Sequence, residues 1–111
     1  MKVAIIGSRG LCVNDFSPYL PDGITEIVSG GARGIDTSAR EYANRHGILI
    51  TEFFPEYDKY GPKAAPHIRN DKIIDYADIV LAFWDGRSRG TRSVIEKCKQ
   101  RGKKVIVYKE I

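Results

Sequence analysis

Cysteine is scarce in this chain, with only Cys12 and Cys98 in 111 residues. They share no CxxC spacing and have no matching histidine pair, so neither a disulfide framework nor a zinc site is indicated. Reduced thiols in the cytosol are the simplest reading. Long apolar runs are missing as well. The N-terminal one breaks at Gly7, Ser8 and Arg9, too short for a signal peptide, and nothing approaches the roughly 20 residues that span a bilayer, so no membrane is expected. Internal repeats, low-complexity tracts and linkers are absent. So are two familiar phosphate motifs. Without GxxxxGKS/T there is no P-loop lysine or magnesium-binding hydroxyl, and without GxGxxG after the first strand ordinary dinucleotide binding is disfavoured. No carboxylate cluster resembles a metal site, and no cofactor is called for.

What remains has the balance of a globular protein, 42% hydrophobic and 29% charged, and a length suited to one domain over 1–111. The net charge of +4 and pI near 9.1 fit an anionic small ligand or nucleic acid. Much of the excess lies in Lys97, Lys99, Arg101, Lys103 and Lys104, where a solvated helix end favoured by the dipole is the plainer account.

Lys2 to Ile6 reads as a strand buried on both faces, and Asn14 to Leu20 as a short helix closed by Pro21, Asp22 and Gly23. A second strand, Thr25 to Val28, leads into a helix from Ile35 to about His46, stopped by Gly47. Ile48 to Phe53 is a third strand and Phe54 to Lys63 a loop. Pro66 suits the first turn of a helix running to about Tyr76. Asp78 to Trp84 is the fourth strand. The glycine-rich turn from Asp85 to Thr91 opens a helix with Ser93 and Glu96 as capping box, Gly102 stops it, and Lys104 to Tyr108 is the last strand. Strands alternating with helices predict an α/β fold: a Rossmann-like, three-layer open parallel sheet of about five strands, with helices on both faces.

In such sheets ligands bind beyond the carboxyl ends of the strands, where the winding reverses. That edge receives Gly7, Ser8 and Arg9, then Gly30, Gly31, Arg33, Gly34 and Asp36, then Trp84, Asp85, Gly90 and Thr91. Arg69, at the start of a helix face whose later members are core, reaches the same rim. Glycines at a helix entry expose backbone N–H groups that lack internal acceptors, a ready site for phosphate or carboxylate. Each residue also has a structural role open to it. Thr91 suits a helix cap, Arg69 a pairing with Asp75 or Asp36, Asp36 a dipole partner as much as a ribose ligand, and Trp84 the core as much as a stacked base. Tyr57 and Tyr60 lie in a loop long enough to be a lid.

Four motifs in order, GSR after the first strand, VSGGARGID after the second, YG followed by HIRN, and AFWDGRSRGT after the fourth, resemble the SLOG superfamily of Rossmann-like proteins, in particular its YspA-like branch. The resemblance covers almost the whole chain. It implies a pocket for a nucleotide or nucleotide-derived ligand in a sensing or processing domain. Relatives within that superfamily include the Lonely Guy phosphoribohydrolases and DNA-processing protein A. Gly30, Gly31 and Gly34 resemble the phosphoribohydrolase glycine turn, and His67 to Arg69 their helical histidine-x-arginine segment, with Ile73 where they carry methionine. Their PGGxGTxxE motif is matched only at Gly90 and Thr91. Val94 stands where the glutamate belongs, and valine moves no proton. Glu96, two residues on, is rotated by over half a turn.

The reading is a domain that binds a nucleotide-derived phosphate ligand. The alternatives are an N-glycosidic hydrolase of the phosphoribohydrolase type, with Asp36, Glu52 or Asp85 as carboxylate, and a single-stranded nucleic-acid binder. Phe53 and Phe54 offer an apolar patch for a homodimer.

Overall fold

The first apolar run forms strand β1 (Lys2–Gly7), and its alternation serves two cores at once: Val3 and Ile5 point to one face of the sheet, Ala4 and Ile6 to the other. A computed structural model describes residues 1–109. Strands β2 (Glu26–Ser29), β3 (Leu49–Glu52), β4 (Ile79–Phe83) and β5 (Val105–Tyr108) alternate with helices α1 (Ile35–His46), α2 (Tyr57–Tyr76) and α3 (Arg89–Arg101). All four strand pairings are parallel, in the order β3-β2-β1-β4-β5. The chain thus winds outward from β1 to β3, returns to the other side of β1, and winds outward again. The reversal lies between β1 and β4.

Helix α1 covers one face, through Ile35, Ala39, Tyr42 and Ala43 on Val3, Ile5, Ile27 and Leu81. Helices α2 and α3 cover the other, through Ile73, Ile74, Val94, Ile95 and Cys98 on Ala4, Val28, Val80 and Ala82. The fold is therefore the expected three-layer α/β sheet. Among the described residues no helix is long and apolar enough to cross a membrane. Cys12 and Cys98 are both free thiols.

Four expectations need correction. Asn14 to Leu20 is not a helix but a run of turns. Asp15 Oδ1 accepts from the Ser17 N–H at 3.0 Å, offering the backbone a local alternative to helix, and Pro18 follows inside the would-be helix. The segment still fills the α1 side of the core: Phe16 is fully buried, with its ring edge-on to Tyr42 and Phe83.

The loop expected from Phe54 to Lys63 is already helical from Tyr57, so Pro66 lies inside α2 rather than in its first turn. The helix breaks at Gly61 (φ 81°, ψ 169°), because the residue before a proline is disfavoured in the helical region, and Pro62 restarts it. Glu56 caps nothing with its side chain, but its pairing with Lys72 at 3.0 Å ties the short first segment to the long one.

The last helix begins at Arg89, not after Thr91. Ser88 is its N-cap, accepting from the Thr91 N–H, so the Ser93 and Glu96 capping box is not used. The two phenylalanines expected to form a patch also part company. Phe53 packs edge-on to Tyr76, whereas Phe54 remains exposed with its ring seated on Gly31.

Candidate functional site

At the reversal between β1 and β4, the loops after β1, β2 and β4 and the middle of α2 enclose an open cleft of about 560 Å³. Two helix entrances share it. Gly30, Ala32 and Asp36 come from the start of α1, and Ser88, Arg89, Gly90 and Thr91 from the start of α3. Gly7, Arg9 and Gly10 form the β1 wall, and Arg69 and Asn70 reach in from α2. The segment before α1 can lie this close to β1 because Gly34 has no side chain. Its φ of 74° suits only glycine, and the Arg9 backbone occupies the space where a Cβ would stand.

Asp36 and Arg69 give the cleft its electrostatics. Asp36 is 6% exposed; its Oδ2 accepts from the Ala32 N–H at 3.1 Å, and its Oδ1 has no partner among the described residues. Burial raises its carboxyl to about 6, and Glu52 adds to the rise, against the Ala32 N–H and the charges of Arg69 and Arg9. Arg69 is held by two bonds: Nη1 donates to the Gly30 carbonyl at 2.7 Å and Nε to Asn70 Oδ1 at 2.8 Å. Burial lowers its pKa and Asp36 opposes that. Asp75, offered as its partner by the sequence, is taken by Arg101 at 2.9 Å.

A smaller cleft of about 280 Å³ adjoins the first. Gly31 and Arg33 line this one rather than the larger, with Pro55 and Tyr57 opposite, while Arg9, Gly30, Ala32 and Arg69 belong to both.

Three of the expected site residues line neither cleft. Ser8 is buried, its Oγ accepting from the Asp85 N–H at 3.2 Å, so it ties the β1 and β4 loops together. Gly34 is a spacer. Trp84 stands apart: its Nε1 donates to the Ser88 carbonyl at 3.0 Å, and its ring carries Arg92 and Lys109 at 5.9 and 5.3 Å. Asp85 lines the cleft with its carboxylate engaged. Oδ1 accepts from the Ser88 and Arg87 N–H groups at 2.8 and 2.7 Å, which holds its pKa low. Thr91 caps and lines at once, since its N–H and hydroxyl both face Ser88 Oγ.

Of the three carboxylates considered for catalysis, only Asp36 both lines the cleft and has a buried oxygen without a hydrogen-bond partner among the described residues. Glu52 lines neither cleft and lies 4.0 Å from Arg40. Ser88, Arg89 and Asn70 were overlooked as site residues although they stand inside the AFWDGRSRGT and HIRN motifs. Their position on the first turns of α3 and the inner face of α2 was the missing signal. Among the described residues, no group of three or more His, Cys, Asp or Glu is placed to hold a metal ion.

The fold and the cleft define a Rossmann-like parallel α/β domain with a ligand-sized opening at its topological switch point. The chain is similar to the Gene 61 protein of Mycobacterium phage D29, 34% identical over 87 residues that cover 74% of this chain and 70% of the relative. It belongs to the family of that protein. No protein-family model matches the chain, and no solved structure matches it.

Proposed function

We propose that the larger cleft binds a nucleotide or nucleotide-derived phosphate ligand, in a sensing or processing domain of the SLOG kind. One observation carries the reading: the entrances of α1 and α3, far apart in the chain, line one cleft together with Arg9, Arg69 and Arg89. Helix N-termini and guanidinium groups attract the same dianionic phosphate, and arginine adds a forked geometry that matches its oxygens. The buried free oxygen of Asp36 supplies an acceptor for a sugar hydroxyl. The four SLOG-like motifs support the same reading, since all of them contribute to the cleft or its rim. The cytosol is the compartment that goes with it.

Isothermal titration of the protein with nucleoside mono- and diphosphates, ADP-ribose and cyclic dinucleotides tests this. Binding of at least one member at micromolar concentration supports it, and no heat from any of them overturns it.

A second reading rests on Asp36 alone. A carboxyl raised to about 6 beside a bound nucleotide suits a general base that activates water for N-glycosidic hydrolysis. Release of free base from the same panel, followed by chromatography, separates the two. Turnover abolished by Asp36→Asn supports hydrolysis, and binding without turnover supports sensing.

A further inference from the structure

Two side chains of opposite sign stand side by side in the larger cleft. The position a Cβ would take on Gly30 is 2.8 Å from Arg69 Nη1 and 3.0 Å from Asp36 Oδ2, so an anion drawn to this guanidinium arrives beside the carboxylate as well. Neither group is spent on the other. Arg69 donates to the Gly30 carbonyl and to Asn70, and Asp36 Oδ2 accepts from the Ala32 N–H, while Oδ1 is buried without a partner among the described residues. The elements packed against the start of α1 bring further charges toward Asp36: Arg9 from the loop after β1, Glu52 from the end of β3 and Arg69 from α2. Arg40, one turn along α1, lies 4.0 Å from Glu52. Two arginines thus face one carboxylate where water screens poorly, and a charge there counts for several times its worth in solvent.

We infer that the cleft is a proton-gated anion site in which Asp36 is the built-in counter-charge: ionised, it holds the field of Arg9 and Arg69, and protonated, it frees both for a ligand anion and offers its own O–H as a donor. The inference rests on the proposed phosphate site and adds its regulation. A dianion beside Asp36 makes its ionisation harder, and an ionised Asp36 makes the arrival of the dianion harder. By linkage the two penalties are equal. Burial puts the carboxyl of the free protein at about 6 instead of the ordinary 3.8, and a bound anion pushes it higher still. Affinity is therefore full below that pH and falls as pH rises above it, by at most about tenfold per pH unit for one linked proton. Across the cleft, Asp85 is held ionised by the Ser88 and Arg87 N–H groups and takes no part in that range. His67 lines the cleft too, and histidine is the side-chain type that ordinarily changes charge between pH 5 and 8.

Sulfate keeps both its charges throughout this range and is the probe. It is titrated into the whole isotope-labelled chain at about pH 5.5, 6.5 and 7.5 and constant ionic strength, and the amide shifts of Gly7, Gly30 and Gly90 read its dissociation constant at the cleft itself. That constant rises by about threefold or more from the lowest pH to the highest. Asp36→Asn, which keeps an acceptor for the Ala32 N–H, loses the slope, and His67→Gln retains it. Circular dichroism at each pH checks that the variants fold. A flat wild-type curve, a slope undiminished in Asp36→Asn, or one lost in His67→Gln overturns the inference while leaving the anion site, and the nucleotide reading with it, intact. Absence of any sulfate-induced shift at these glycines also overturns it, and the nucleotide reading is then judged by its own panel.

Discussion

The Arg69 guanidinium donates to the Gly30 carbonyl at 2.7 Å, across 39 positions of sequence, and so fixes the middle of α2 against the turn that opens α1. A Cβ on Gly30 would stand 2.8 Å from the same Nη1 and 3.0 Å from Asp36 Oδ2, so the glycine is the space the pair needs. Arg69→Ala removes both the turn's partner and a cation from the cleft. Affinity for the best nucleotide found by calorimetry falls by about tenfold or more, and Arg69→Lys restores only part, because lysine lacks the fork. Unchanged affinity in Arg69→Ala would assign the guanidinium to the turn alone.

Asp36 makes stability depend on pH in a defined direction. In the folded chain its carboxyl keeps its proton up to about pH 6, whereas an unfolded chain loses it near 3.8. Between those values the folded state holds more protons, so stability falls as pH rises through the window and stays lower above it. The ionised form costs on the order of 3 kcal/mol, two pKa units at 1.36 kcal/mol each. Asp36→Asn keeps an acceptor for the Ala32 N–H without the charge. Its urea midpoint falls less than that of the wild type between pH 4 and 6, leaving the variant the more stable at pH 7. Parallel midpoint curves would refute the burial argument.

Gly34 separates a conformational requirement from a chemical one. With φ at 74° and the Arg9 backbone in the way of a Cβ, Gly34→Ala strains the start of α1. The loss exceeds about 1 kcal/mol, read from the denaturation midpoint, and ligand affinity falls too because Arg9 is displaced. A variant as stable as the wild type would mean that the turn is free to relax.

Phe16 tests whether a segment without regular structure is part of the core. It is fully buried, edge-on to Tyr42 and Phe83 with ring centroids at 5.6 and 5.3 Å. Phe16→Ala costs about 3 to 5 kcal/mol, while far-UV circular dichroism below the transition stays that of the wild type, since no helix or strand contains the residue. A cost under about 1 kcal/mol would mean that the face is closed without it.

The elements that sequence reasoning found are those whose pattern is local. β1 alternates between two cores, α1 keeps its apolar residues on one stripe and ends at Gly47, and α3 ends at Gly102, both glycines in the left-handed region. The misread ones involve competing local signals. Asn14 to Leu20 read as a helix, but Asp15 closes a turn at Ser17, and Gly61 with Pro62 interrupts a helix that had already begun. At the cleft, Gly7, Arg9, Gly30, Asp36, Arg69, Asp85, Gly90 and Thr91 could be named because a parallel sheet delivers its turns to one edge. Ser8 and Trp84 could not be told from them, because a turn residue facing inward and one facing the cleft look the same in a sequence.

Periodicity and punctuation were thus enough to determine the five strands, helix α1, the bodies of α2 and α3 and the edge at which the strands leave their loops, since each depends on neighbours within a few residues. The burial of Asp36, the grip of Arg69 on Gly30 and the joining of two clefts along Arg9 were decided by tertiary structure alone. Each arises between segments brought together only when the sheet closes its order around β1, and desolvation and charge act through space rather than along the chain.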